Sequence, residues 1–225
     1  MIKAIVTDIE GTTTSLAFVK EVLFPYARRH LRRFVRENIA NAEVAAILDT
    51  IRSMVGKPLE IEEIAAQLEQ WIDEDRKLTP LKALQGLIWE AGYTRGDFLG
   101  HVYDDAARNL QQWHAQGIQL YVYSSGSAHA QKLLFAHTPF GDLTPLFSGY
   151  FDTTIGQKRD SASYAAIGRQ LGVSPSEILF LSDVREELDA ARDVGMRTCW
   201  LVRDSVPNRG AEHTQAASFD EIALV

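Results

Sequence analysis

Residues Lys3 to Thr14 read KAIVTDIEGTTT, a strand-like run that ends in acids. Lys3 to Thr7 hold β-branched and small apolar residues, the composition of a strand buried on both faces. The run passes into Asp8 and Glu10, two carboxylates separated by one residue, and then into Gly11-Thr12, a turn signal. Acids at the end of a buried parallel strand lie in the crevice where open α/β sheets bind ligands. Two carboxylates in one tight loop repel each other, and a bound divalent cation would relieve that repulsion. A solvated turn would use the same residues, so the rest of the chain has to decide.

Beyond Thr14 the apolar period changes from two to about 3.6. Tyr26, Leu31, Phe34 and Val35 mark one helical face, on a segment that Pro25 is suited to start. Val44, Ile47, Leu48, Ile51 and Val55 mark a second, with Asn41 as N-cap and Gly56 as stop. Ile61, Ile64, Leu68, Trp71 and Ile72 mark a third. Leu81, Leu84, Ile88 and Ala91 mark a fourth, ended by Gly92. No convincing strand interrupts them, so residues 16–103 read as an all-helical insertion of roughly 90 residues, long enough for its own core.

Asp104 to Gln116 reads as a helix capped by Gly117, after which strand and helix alternate as in a parallel sheet. Strands are expected at Ile118–Tyr123, Tyr150–Thr154, Ile178–Leu181 and Thr198–Val202. Helices are expected at Ser127–His137, with Ser127 as N-cap, and then at Ser161–Leu171 and Glu186–Val194. The predicted architecture is an α/β, Rossmann-like parallel-sheet core, residues 1–15 and 104–225, with a helical cap inserted after the first strand.

The chain has 225 residues, 46% apolar and 24% charged, with a net charge of −7, which is the make-up of an ordinary soluble globular protein. It has no basic run to engage nucleic acid and no apolar run of membrane-spanning length. Its lone cysteine, Cys199, lies in an apolar strand-like run and has no internal partner for a disulfide. A cytoplasmic monomer acting on a small molecule is expected, with no nucleic-acid or membrane partner.

Four loops each follow a strand-like run, so in a parallel sheet all four open on one edge. They hold Asp8-Ile9-Glu10-Gly11-Thr12, Ser124-Ser125-Gly126-Ser127, Gly156-Gln157-Lys158, and Ser182-Asp183 with Glu186 and Glu187. Together they offer a carboxylate nucleophile, a second acid, hydroxyl and backbone donors, a fixed cation and a distal carboxylate. Phosphoryl transfer needs that inventory, because there the enzyme mainly places groups and neutralises charge. Ser124-Ser125-Gly126 leads into a helix N-terminus, whose free N–H groups favour an anion. Asp183 ends the apolar run ILFL, where an acid is costly without a partner.

This ordered set resembles the haloacid-dehalogenase-like superfamily of phosphatases. DIEGTTT, FVKEVLFPYA, DRKLTPLKALQG, YVYSSGSAHAQKLLF, FDTTIGQK and ILFLSDV resemble, more narrowly, the enolase-phosphatase family of methionine salvage. The resemblance implies that Asp8 is the nucleophile that becomes an aspartyl-phosphate, and that Mg²⁺ is held by Asp8, Asp183 and the backbone carbonyl of Glu10. It further implies that the Glu10 side chain serves as acid and base, and that Ser124 and Ser125 bind the phosphate ester substrate. Lys158 would balance the charge between Asp8 and the phosphoryl group. Glu186 or Glu187 would stand by the metal shell or hold Lys158. The implied reaction turns 2,3-diketo-5-methylthiopentyl-1-phosphate into its enol phosphate and then into acireductone and phosphate. In the cap, the triplet Asp75-Arg76-Lys77 breaks the apolar pattern: a solvated helix end is the first expectation, and contact of Arg76 or Lys77 with the phosphate or the diketone the second. Packing is the first expectation for Phe18, Phe24, Trp89 and Tyr93, and contact with a methylthio tail the second. The rival readings are a capped phosphatase for a sugar phosphate or phosphoglycolate, a dehalogenase, and a receiver module. A dehalogenase needs no metal, and a receiver has no inserted helices after its first strand.

Overall fold

The computed structural model describes residues 1–74, 76, 78–203 and 212–224. Its contacts divide the chain into two compact units, Met1–Leu16 with Leu99–Val225, and Ala17–Phe98.

Among the described residues, the first unit is built on six parallel strands in the order β3-β2-β1-β4-β5-β6. They are β1 Ala4–Thr7, β2 Gln119–Tyr123, β3 Phe147–Phe151, β4 Ile178–Ser182, β5 Arg197–Leu201 and β6 Thr214–Ala216. Every residue of β1 is buried, as befits a central strand covered on both faces. One apolar cluster joins Val6 and Phe180 of the sheet to Tyr164, Ile167, Leu188 and Ala191 on the covering helices. Thr7 pairs in register with Val122 on one side and Leu181 on the other. That register brings Asp8, Ser124 and Asp183, each just past a strand, to one sheet edge.

β3 begins three residues earlier than the sequence reading places it and ends at Phe151. Asp152 explains the end: its Oδ1 accepts from the Thr154 N–H at 2.9 Å and the Thr154 hydroxyl at 2.6 Å, which turns the chain away from the sheet. β6 was not among the expected strands; three residues, TQA, carry too little pattern to read.

The second unit has helices α1 Phe24–Asn38, α2 Ala42–Val55, α3 Ile61–Asp73 and α4 Thr79–Arg95. Their apolar faces form a separate core that includes Leu31, Leu48, Ile64, Leu68 and Leu84. Asn41 caps α2, accepting from the N–H groups of Glu43 and Val44. α4 runs on through Gly92 to Arg95 and is stopped by Gly96 at φ +72°, so the expected stop at Gly92 is corrected. Gly92 is there for space: a Cβ would sit 2.5 Å from the Phe98 ring and 2.8 Å from the Tyr26 ring.

The remaining helices, α5 Asp104–Ala115, α6 Ala128–Ala136, α7 Ser161–Leu171 and α8 Arg185–Asp193, belong to the first unit. Ser127 caps α6 by accepting from the Ala130 N–H at 3.2 Å. Cys199 is buried in β5, and burial pushes its thiol up to about 12. No helix among the described residues is long and apolar enough to cross a membrane.

Candidate active site

Asp8, Glu10, Ser124, Ser125, Lys158, Asp183 and Glu187 line one cavity of about 330 Å³ at the sheet edge. A wider groove of about 630 Å³ lies between α6 and β3, but no carboxylate lines it. The acids therefore single out the smaller cavity.

Asp8 follows β1, and its N–H donates to the Leu181 carbonyl at 2.9 Å. Its own carbonyl accepts from the Thr7 hydroxyl at 2.9 Å and the Thr13 hydroxyl at 3.2 Å, which fixes the loop DIEGTT upon itself. From outside that loop, the Arg203 Nε donates to the Thr12 carbonyl at 2.7 Å. The same guanidinium is paired with Asp105 at 3.1 Å and stacked over the Tyr103 ring. The Asp8 carboxylate is nearly inaccessible.

The Lys158 Nζ lies 2.6 Å from Asp8 Oδ1 and 2.7 Å from Glu187 Oε2. Tyr164 holds its backbone by donating to the Lys158 carbonyl at 2.7 Å. Burial alone would lower the lysine's pKa, but the two carboxylates outweigh it and hold the ammonium above its ordinary range. Glu187 moves up to about 7, first through burial and then through the charge of Asp8. One ammonium thus serves two buried carboxylates, and the more weakly supported one gives way. Glu187 Oε2 also accepts from the Ser182 hydroxyl at 3.0 Å. Glu186 is exposed, so Glu187 is the late acid that holds Lys158.

Asp183 lies just beyond β4, with its carbonyl accepting from Trp200 Nε1 at 2.9 Å. It does not cap α8, whose N-cap is Val184. Asp183 Oδ1 is buried with no hydrogen-bond partner among the described residues. Burial, then the charge of Asp8, pushes this carboxyl up to about 6. A buried, unpartnered carboxylate oxygen beside a second carboxylate fits a hard divalent cation, which takes oxygen donors. No three acidic, histidine or cysteine side chains converge as a metal cluster among the described residues. Two carboxylates and the Glu10 carbonyl remain a suitable oxygen set. Gly11 belongs to the same geometry: at φ +77°, a Cβ there would overlap the Asp183 carboxylate.

Ser124 is buried and Ser125 exposed, both on the loop between β2 and α6. Thr153, Gln157 and Arg159 also line the cavity. Gln157 belongs to the loop 156–158 already expected at this edge; Thr153 and Arg159 were not expected there, because nothing distinguishes them from ordinary loop residues, although Arg159 follows Lys158 directly.

In the helical unit, Phe18 and Tyr93 are buried. Trp89 Nε1 donates to the Leu23 carbonyl at 2.8 Å, its ring lies 6.2 Å from Phe24, and Tyr93 packs on Phe98 at 4.5 Å. These contacts of Phe24, Trp89 and Tyr93 lie within the helical unit. Arg76 lies 3.6 Å from Glu74, while Asp75 and Lys77 fall outside the described residues.

A family model described as haloacid dehalogenase-like hydrolase matches residues 2–195. The chain is 60% identical to Enolase-phosphatase E1 of Methylococcus capsulatus, across 99% of this chain and 98% of that one. It is 59% identical to Enolase-phosphatase E1 of Thioalkalivibrio sulfidiphilus, with 100% of each covered. Among solved structures, the UTR4 protein of Saccharomyces cerevisiae matches with a TM-score of 0.84 at 33% identity, covering 99% of this chain and 100% of that chain.

Proposed function

This chain belongs to the haloacid dehalogenase-like hydrolases and, within them, to the enolase-phosphatases, and on that premise we propose that it is the Mg²⁺-dependent enolase-phosphatase of methionine salvage. Its substrate is 2,3-diketo-5-methylthiopentyl-1-phosphate, and its products are acireductone and inorganic phosphate. The observation that carries this reading is the meeting of two groups in one cavity: Asp8 paired with Lys158 at 2.6 Å, and Asp183 with a buried oxygen that has no partner.

Asp8, Asp183 and the Glu10 carbonyl hold Mg²⁺. When bound, the ion supplies Lewis acidity for the diketone and neutralises charge on the phosphoryl oxygens. Glu10 removes a proton from C1, next to the C2 carbonyl, and a proton from solvent reaches the C2 oxygen, giving the 2-hydroxy-3-keto enol phosphate. Asp8 then attacks phosphorus: an Asp8–phosphorus bond forms, the ester bond to the C1 oxygen breaks, and Glu10 protonates the leaving oxygen. Water, giving its proton to Glu10, attacks the aspartyl-phosphate, releases inorganic phosphate and restores Asp8, and Glu10 then returns that proton to solvent. Throughout, Lys158 offsets the charge shared by Asp8 and the phosphoryl group, and Ser124 and Ser125 hold its oxygens. The helical unit acts as the substrate-selecting cap, and the enzyme works as a cytoplasmic monomer.

The test is an assay of the diketone phosphate that follows enol absorbance and phosphate together, with Mg²⁺ and with chelator. Both signals are expected only with the cation, and more slowly from a panel of sugar phosphates. Faster release from a sugar phosphate would overturn the substrate assignment. Glu10→Gln is expected to slow both steps; intact enolisation with lost phosphate release would remove Glu10 as the enolisation base.

A further inference from the structure

The run AQKLLF places Gln131 on the first turns of α6, directly after the Ser124–Ser127 loop. Gln131 is 2% exposed. Its Nε2 donates to the Gly126 carbonyl and to the Phe151 carbonyl, both at 2.8 Å. Its Oε1 is buried with no hydrogen-bond partner among the described residues. Turning the amide over would set that oxygen against two carbonyl oxygens, so the two acceptors fix the orientation.

The same atoms bear on Ser124. The Phe151 carbonyl also accepts from the Ser124 N–H at 3.2 Å, and the Gly126 N–H donates to Ser124 Oγ at 3.3 Å. The buried amide therefore joins the Gly126 end of the loop to the Phe151 carbonyl at the end of β3, the carbonyl that also holds the Ser124 N–H. A carboxylate at this position would repel both carbonyls, and an apolar side chain would take the amide donor from both, leaving the Phe151 carbonyl with the Ser124 N–H.

We infer that Gln131 is a positioning residue for substrate binding: its amide clips the Ser124–Gly126 loop in the geometry that receives the phosphate oxygens. This rests on the proposed reading of Ser124 and Ser125 as phosphate-binding residues. Gln131 touches no substrate itself, so its effect belongs in affinity rather than in the chemical step.

The test uses Gln131→Met, which keeps length and removes both donors, and Gln131→Glu, which keeps shape and reverses their polarity. In the full-length enzyme with Mg²⁺, both are expected to raise KM for the diketone phosphate and Ki for inorganic phosphate about tenfold, with kcat within about threefold. In a Ser124→Ala background the Gln131→Met change is expected to add less than about twofold, because both act through one contact. Hydrogen exchange of the 124–127 amides should quicken in both variants. Unchanged exchange, or quicker exchange with unchanged KM and Ki, would overturn the inference. So would full additivity with Ser124→Ala, which marks a general loss of stability. A wild-type enzyme that releases no phosphate sinks the hydrolase reading instead, and the exchange result then decides the clip alone.

Discussion

At Gly11 the backbone turns through φ +77°, and the space a side chain would need is filled by the Asp183 carboxylate. Gly11→Ala therefore carries two penalties, about 1–2 kcal/mol for the left-handed backbone and the displacement of a carboxylate assigned to the cation. Its divalent-ion affinity is expected to fall about tenfold or more, read as a shift in the Mg²⁺ dependence of phosphate release; an unshifted titration would dissociate Gly11 from the ion. Asp8, Ser124 and Asp183 were legible because each directly follows a strand-like run, and Lys158 because its loop takes its place in the order of the four. The choice between Glu186 and Glu187 was not, since neighbours on a helix point about 100° apart and only the helix phase decides which one meets Lys158. Gln131 and Arg203 were illegible for a related reason. Their links to the site loops run through backbone carbonyls, Gly126 and Phe151 for one and Thr12 for the other, and a carbonyl leaves no mark in a sequence.

Among the elements, α4 contains two glycines with opposite duties. Gly92 faces the rings of Phe98 and Tyr26, whereas a Cβ on Gly86 would meet nothing within 4 Å. Gly86→Ala is expected to stabilise the protein by up to about 1 kcal/mol through helix propensity. Gly92→Ala is expected to destabilise it by about 1–3 kcal/mol through overpacking, despite the same propensity gain. Urea unfolding of both variants gives the signs, and two stabilising changes would contradict the packing around Gly92. This pair shows why the end of α4 was misread: a glycine in a helical pattern signals a stop or a close approach, and the letters do not say which. The other helices were legible from period and caps, because burial of one face imposes the period directly. β3 was read late because Ser148 and Gly149 weaken its strand pattern, while Asp152-Thr153-Thr154 looks extended and is a turn.

For the molecule as a whole, the site couples stability to pH and, on the proposed function, to the cation. Asp183 and Glu187 titrate at about 6 and about 7 in the fold, above their ordinary range, through burial and then the charge of Asp8. Acids held up in this way bind protons more tightly folded than unfolded. Their contribution is present below about pH 4 and is lost as pH rises through 6 and 7. The stability gained on replacing chelator by saturating Mg²⁺ is therefore expected to be larger at pH 8 than at pH 5. Urea midpoints at the two pH values, with and without the cation, check this; an equal gain at both would refute it. The sheet order has a consequence of another kind. β1 is the first strand made, yet its neighbours are β2 at 119–123 and β4 at 178–182. At roughly 5–20 residues per second, a ribosome has been at work for on the order of ten seconds or more before β4 emerges to close the second side. The residues that carry Asp8 must wait as an unpaired apolar segment while the helices of 17–98, whose partners are all near in sequence, can already have assembled. Chaperones that hold nascent chains are therefore expected to meet this protein first at its N-terminal strand.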